Sequence, residues 1–228
     1  MSRLMWPESC VLCGSSVRAA ALNDFSIRRL CAPCAASLPR LPARCCRVCA
    51  VPLTSGETCG ACLARPPAYD SVSAGYVYGF PVDALIQSYK YGGDLTLAPI
   101  LAAMIEPVRD GCVDVLVATP LSPARLRERG FNQAHELARH LARRCRVPVL
   151  PNAVRRVTDT APQAALPRKE RAQNVRGAFV CDADLTGLHV GVVDDVMTTG
   201  ATLNELAKNL KYAGAARVSG CVVARTLL

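Results

Sequence analysis

Four Cys-x2-Cys pairs stand within the first 62 residues: Cys10/Cys13, Cys31/Cys34, Cys46/Cys49 and Cys59/Cys62. Each such turn offers two sulfurs to one tetrahedral ion, and two turns close a four-thiolate site, so the pattern suits two structural zinc ions per chain. The simplest grouping is sequential, with the first two pairs on one ion and the last two on the other; a crossed grouping stays open. Cys45 adjoins Cys46 but lacks the spacing to Cys49 and is left out. A thioredoxin-type redox site would show one pair opening a helix after a strand, not four pairs in loop-rich sequence. Residues 1–67 carry few large apolar side chains, so metal is expected to hold this ribbon module folded. Stripping zinc is expected to unfold residues 1–67 and leave the rest intact.

The full chain has 228 residues and a formal charge of +9, which is unevenly spread. Residues 1–67 carry +5, 68–118 carry −4, 119–146 carry +5, 147–176 carry +4 and 177–228 carry −1. Each four-thiolate zinc site adds four negative and two positive charges, so the ribbon falls to about +1. The basic character therefore lies in residues 119–176, not in the cysteine module. The N-terminus MSRLMWPES lacks an apolar core of signal-peptide length, and the longest uncharged run is residues 71–82, too short for a span. A soluble cytoplasmic protein with no membrane insertion is expected.

From residue 68 the pattern changes to alternating strands and helices. SVSAGYVYG (71–79) alternates like a strand, and Val82, Leu85, Ile86 and Tyr89 follow at helical spacing until KYGGD breaks the run. A helix over 97–108, a strand over 113–118, a helix over 131–146 and a strand over 147–150 come next. LHVGVVDD (188–195) reads as a strand, Leu203, Leu206, Ala207 and Leu210 mark a helix with Gly214 near its end, and RVSGCVVA (217–224) closes as a strand. Such alternation predicts an α/β fold, a parallel sheet covered on both faces. Residues 155–176 have no steady period and are basic, as functional or mobile loops often are. Cys112, Cys145, Cys181 and Cys221 lie in or near apolar runs and are expected in the core.

VVDDVMTTGAT (192–202) is the chemically pointed stretch. In an open α/β sheet, ligands sit beyond the C-terminal ends of strands. Asp194 and Asp195 fall there, and both can serve one ligand only if the strand ends about there, because strand neighbours face opposite ways. Thr198, Thr199, Gly200, Ala201 and Thr202 then form a tight turn opening a helix, where N–H groups, hydroxyls and the helix dipole suit a phosphate. Carboxylates accept hydrogen bonds and so suit vicinal sugar hydroxyls. The ligand implied is a sugar 5-phosphate.

This stretch resembles the phosphoribosyl-pyrophosphate (PRPP) motif of type I phosphoribosyltransferases. Together with the ribbon cysteines, YKYGGDL (89–95), TPLSPARLRERGFNQA (119–134) and RRVTDTAPQAALPRKERAQNVRGAF (155–179), it follows the order of the ComF family, linked to natural competence. The resemblance covers essentially the whole chain. It implies a double zinc ribbon over 1–67 and a phosphoribosyltransferase-like domain over 68–228, with 68–111 as hood and 155–176 as a flexible closing loop offering Arg168, Lys169 and Arg171. It further implies that Asp194 and Asp195 bind the ribose hydroxyls, Thr198–Thr202 wrap the 5-phosphate, and Thr119, Pro120, Leu121 and Ser122 face the pyrophosphate. Ser122 departs from the family, where a His is usual. Mg²⁺ would accompany PRPP, bridging phosphate and hydroxyl oxygens, while arginines and a closing loop stabilise the leaving group.

No residue announces the acceptor. His135 and His140 on the 131–146 helix read as solvated. Arg125, Arg127, Arg129, Arg139, Arg143 and Arg144 form either a solvated basic face, a pyrophosphate contact by the first three, or a track for single-stranded DNA, with only Phe131 and Phe179 nearby to stack on bases. Three functions are therefore expected to compete: a phosphoribosyltransferase with an unknown acceptor, a non-catalytic competence factor contacting single-stranded DNA or a helicase-like partner, and a PRPP-sensing regulator. The scaffold itself does not choose among them.

Overall fold

The computed structural model describes residues 9–17, 29–108, 111–158 and 175–227. Two short helices, α1 (Ala32–Ala36) and α2 (Gly60–Ala64), start directly after Cys31 and Cys59 in the ribbon module. Then follow β1 (Ser71–Val77), α3 (Val82–Tyr91), α4 (Ala98–Ala103), β2 (Val115–Ala118), α5 (Pro123–Arg129), α6 (Gln133–Cys145), β3 (Val154–Arg156), β4 (Phe179–Cys181), β5 (His189–Met197), α7 (Ala201–Tyr212) and β6 (Arg217–Arg225). The central sheet has the order β1-β6-β5-β2, with every pairing parallel. The expected class, a parallel α/β sheet behind a cysteine-rich module, is the one observed.

Near-continuous apolar runs make these strands, as expected where both faces are covered. On one face α3 and α6 bury Leu85, Ile86, Tyr89, Leu137 and Leu141 in one core with Val193, Cys221 and Val223. On the other, Leu203, Leu206 and Leu210 of α7 share a core with Val190, Val192, Val218 and Val222. Each such leucine contributes about 2 kcal/mol relative to exposure.

Local departures from the sequence expectations have physical reasons. The helix predicted over 97–108 spans only Ala98–Ala103 after a 3-10 turn, Leu95–Leu97, that begins beside Asp94, whose carboxylate accepts from Thr96 N at 3.0 Å. VPVL makes one parallel bridge, Leu116 to Val149, rather than a full strand. Helix α5 has no apolar periodicity to mark it; Ser122 caps it, its hydroxyl accepting from Arg125 N at 3.4 Å, and Gly130 ends it in the left-handed region. Arg155 and Arg156 begin the expected loop but belong to β3, which pairs antiparallel with β4. Cys112 and Cys145 are exposed and Cys181 is half-buried, so of the four cysteines assigned to the core only Cys221 is buried there.

The ribbon module is not insulated from the sheet, contrary to the picture of a separate appendage. Cys10, Leu30 and Leu38 belong to the first core, and Cys46, Cys49, Ala50 and Cys62 to the second. Residues 39–41 also pair along the open edge of β1: Val77 N donates to Pro39 O at 2.7 Å and Leu41 N to Gly75 O at 3.0 Å. An unpaired strand edge invites association, and here the ribbon linker covers it. Among the described residues no helix is long and apolar enough to cross a membrane.

Candidate functional site

Strand β5 runs to Met197, because its register with β6 extends through the pair Met197–Arg225. The acid pair thus lies within the strand, and the expectation that the strand stops at Asp195 is corrected. Consecutive residues of a strand face opposite sides, and the two carboxylates are held differently. Asp195 is 2% exposed and receives Lys90 Nζ from the last turn of α3 at 2.8 Å on Oδ1. Its Oδ2 is buried and has no hydrogen-bond partner among the described residues. Buried acceptors are rarely left so, and one that is calls for a ligand, an ion or water.

Asp194 is half-buried, and its Oδ1 accepts the backbone N–H of Asp195 at 2.8 Å. Burial, reinforced by the neighbouring Asp195 charge, pushes the Asp194 carboxyl up to about 7; Lys90 and the Thr119 hydroxyl pull the other way. Burial tends to lower the proton affinity of Lys90, but Asp195, by charge and hydrogen bond, and Asp194 outweigh it and raise the net value. The lysine therefore serves as the counter-charge of the whole pair. Nothing local in the sequence marks Lys90 for this role; the run YKYGGD shows only where a helix stops.

Downstream of Met197 the chain turns at Thr198 and Thr199, and Gly200 opens α7 with φ +80° and no side-chain cap. Thr199 Oγ1 accepts from Ala201 N at 3.3 Å. The positive φ of Gly200 favours glycine, and a Cβ there would also displace the tip of Met197, 2.6 Å away at Cε, and crowd the Tyr69 hydroxyl at 3.0 Å. The carbonyls of Met197 and Thr198 are held from below by Arg225, 5% exposed, a residue with no local sequence signal.

Of the residues expected to face a pyrophosphate, Thr119 comes beside Asp194, with its carbonyl held by Asn132 Nδ2 at 3.1 Å and its N–H donated to Val193 O at 3.0 Å. Pro120 is buried and Leu121 half-buried, while the hydroxyl of Ser122 is taken by the α5 cap. Arg168, Lys169 and Arg171 lie outside the described residues. Two carboxylates, one with an unpartnered buried oxygen, can take a hydroxyl donor or a hard oxygen-seeking cation such as Mg²⁺.

The basic surface is partly committed to the protein itself. Arg129 donates to Gln133 Oε1 at 2.7 Å and stacks 5.3 Å over Tyr91, and Arg139 pairs with Glu136 at 3.1 Å. Arg144 binds the carbonyls of Ala102 at 3.0 Å, of Ala103 at 2.9 Å and of Ile105, closing the end of α4. His135 and His140 are half-buried on α6.

The eight ribbon cysteines form two clusters, Cys10/Cys13/Cys31/Cys34 and Cys46/Cys49/Cys59/Cys62, with the four Sγ atoms of each within 4.8 Å of one another. This is the sequential grouping, and both clusters fit zinc. Burial works against ionising Cys10 and Cys46, yet backbone N–H groups outweigh it and draw them down to about 6 and about 7. Burial sends Cys49 up to about 11, against an opposing N–H bond, with the Cys46 charge adding to the rise. Thiolates this close oppose one another until a cation joins them. Cys45 donates to Pro42 O at 3.1 Å, outside both clusters.

The double zinc ribbon family model matches residues 1–63. The chain is 34% identical to competence protein F of Haemophilus influenzae over 74% of this chain and 79% of that protein. It is 31% identical to the DNA utilization protein YhgH of Escherichia coli K12 over 97% of this chain and 98% of that one. With competence protein ComFC of Bacillus subtilis the identity is 27%, over 87% and 85%. Among solved structures, purine phosphoribosyltransferase from Pyrococcus horikoshii aligns at TM-score 0.31 with 17% identity, covering 68% of this chain and 78% of that one. UMP synthase of Leishmania donovani aligns at 0.32 with 19% identity, covering 59% and 22%.

Proposed function

The chain belongs to the ComF family of competence-associated proteins, and from that premise we propose that it binds PRPP or ribose 5-phosphate with Mg²⁺ at the end of β5. The observation that carries this reading is the buried, half-satisfied Asp195: one oxygen is held by Lys90 and the other unpartnered, one turn of chain before a glycine-capped helix start. In this reading Asp195 Oδ2 and Asp194 accept the ribose hydroxyls although β5 runs on past them, since the Lys90 charge reaches both carboxylates at one place, and Thr198–Thr202 receive the 5-phosphate at the N-terminus of α7. Lys90 keeps the acid pair neutralised before the ligand arrives. Bound Mg²⁺ would supply charge neutralisation for the pyrophosphate. Arg168, Lys169 and Arg171 would close over the leaving group, and transfer of the phosphoribosyl group to an acceptor completes the proposal. The chain would act in the cytoplasm.

Calorimetry with PRPP and Mg²⁺ tests the first step; no heat of binding at millimolar ligand sinks it. Release of pyrophosphate across a panel of amine and base acceptors tests turnover, and binding without release by any acceptor would favour a sensor. The relatives are named competence proteins and a DNA utilization protein, which supports a second reading, a competence factor; in that reading it contacts single-stranded DNA or a helicase-like partner. Transformation with an Asp194→Asn/Asp195→Asn variant separates the two: DNA uptake that survives loss of PRPP binding would detach competence from this site.

A further inference from the structure

The second cysteine cluster and the phosphate loop are joined through one side chain. Arg225 Nε donates to Cys49 O at 3.0 Å, while Nη1 donates to Met197 O at 3.1 Å, to Thr226 O at 2.7 Å and to Thr198 O. Two further contacts run the same way. Tyr69, 6% exposed, shares a core with Cys46, Cys49 and Cys62, and its hydroxyl stands 3.0 Å from where a Cβ on Gly200 would lie. Ala68 N donates to Asn204 Oδ1 at 2.7 Å in the first turn of α7. The start of α7 is therefore braced against the ribbon through Arg225 and Cys49, and against the segment 68–69 that follows the ribbon and packs on its second cysteine cluster.

We propose that Arg225 is a positioning residue that fixes the phosphate loop through Cys49, so that metal occupancy of the second cysteine site governs affinity for the sugar phosphate. The proposal rests on the reading of residues 198–202 as the phosphate-binding turn. The physical reason lies in the guanidinium, whose five donors in a rigid plane can bridge carbonyls of two chain segments; a lysine ammonium is a point charge and cannot hold both in one geometry. The Cys49 carbonyl is itself placed by the thiolate that binds metal. Removing the ion frees the Cys46–Cys49 turn, and the Thr198 carbonyl loses its fixed partner, while the Met197 carbonyl keeps Thr226 N at 3.0 Å. Coupling of this kind is reciprocal: what zinc does for phosphate binding, bound phosphate does for zinc affinity.

The test uses the full chain loaded with zinc at both sites. Ribose 5-phosphate is titrated by calorimetry into the natural protein and into Arg225→Lys, with zinc measured in both. Arg225→Lys is expected to keep both ions and bind about tenfold more weakly or worse. In parallel, zinc affinity of the natural protein is measured by competition with a chromophoric chelator, with and without saturating ribose 5-phosphate. One of the two ions is expected to be held about tenfold more tightly when ligand is present, and the other unchanged. Unaltered ligand affinity in Arg225→Lys, or zinc affinity indifferent to a ligand that does bind, overturns the tether while leaving the phosphate site standing. If the lysine variant does not fold, the competition on the natural protein decides alone. A natural protein that binds neither ribose 5-phosphate nor PRPP overturns the phosphate site and the tether with it.

Discussion

Asp194 and Asp195 are neighbours in sequence that the fold holds in different ways. Asp195 has a lysine on one oxygen, whereas Asp194 is pushed up to about 7 from an ordinary 3.8, first by burial and then by Asp195. A carboxyl whose folded value is raised binds its proton more tightly in the native state, so its stabilising contribution is complete below the unfolded value and is lost as pH rises through about 7. Asp194→Asn is therefore expected to raise the melting temperature more at about pH 8 than at about pH 5; an equal change at both, by calorimetry, would contradict this. For Lys90 the prediction runs the other way. Lys90→Met leaves a carboxylate with 3% side-chain exposure unpaired and is expected to cost about 3 kcal/mol in urea unfolding. Combining it with Asp195→Asn should recover most of that loss, since the isolated buried charge is then removed.

At the level of elements, the start of α7 carries the sharpest constraint. Gly200 sits at φ +80° with Met197 and Tyr69 against it. Gly200→Ala is expected to destabilise by about 1–2 kcal/mol and to weaken the proposed sugar-phosphate binding, because a side chain at this positive φ is strained even when the Met197 tip and the Tyr69 hydroxyl shift to make room. Unfolding curves and the ligand titration check both halves of the expectation. Strand and helix identity were largely readable from apolar periodicity, as in β1, α3, α6 and α7. The ends were not. β5 gained two residues beyond Asp195 because β6 continued to offer partners, and VPVL fell short because it meets β2 at one bridge. Arg144, read as part of a basic face, instead holds the carbonyls that end α4, a partner 42 residues away from it in sequence.

Across the whole molecule, the ribbon and the sheet share both apolar cores and a strand edge. The expectation that chelation spares the α/β domain gives way to a different one. Stripping zinc should lower the melting temperature of the entire chain as one cooperative transition; two separated calorimetric peaks would restore the picture of independent units. Metal analysis is expected to give about two zinc per chain, one for each cluster. What the amino-acid order alone determined was local chemistry: the cysteine pairs that fit zinc, because x2 spacing makes a chelating turn by itself, and the acid pair with its glycine turn, because strand, carboxylates and helix start follow one another along eleven residues. Only the tertiary structure decided that Lys90 neutralises that pair and that Arg225 joins Cys49 to Thr198. These partners lie far apart in the chain, 176 residues in the case of Cys49 and Arg225. No spacing rule encodes such a contact, since it exists only once the sheet order and the helix packing have brought the segments together.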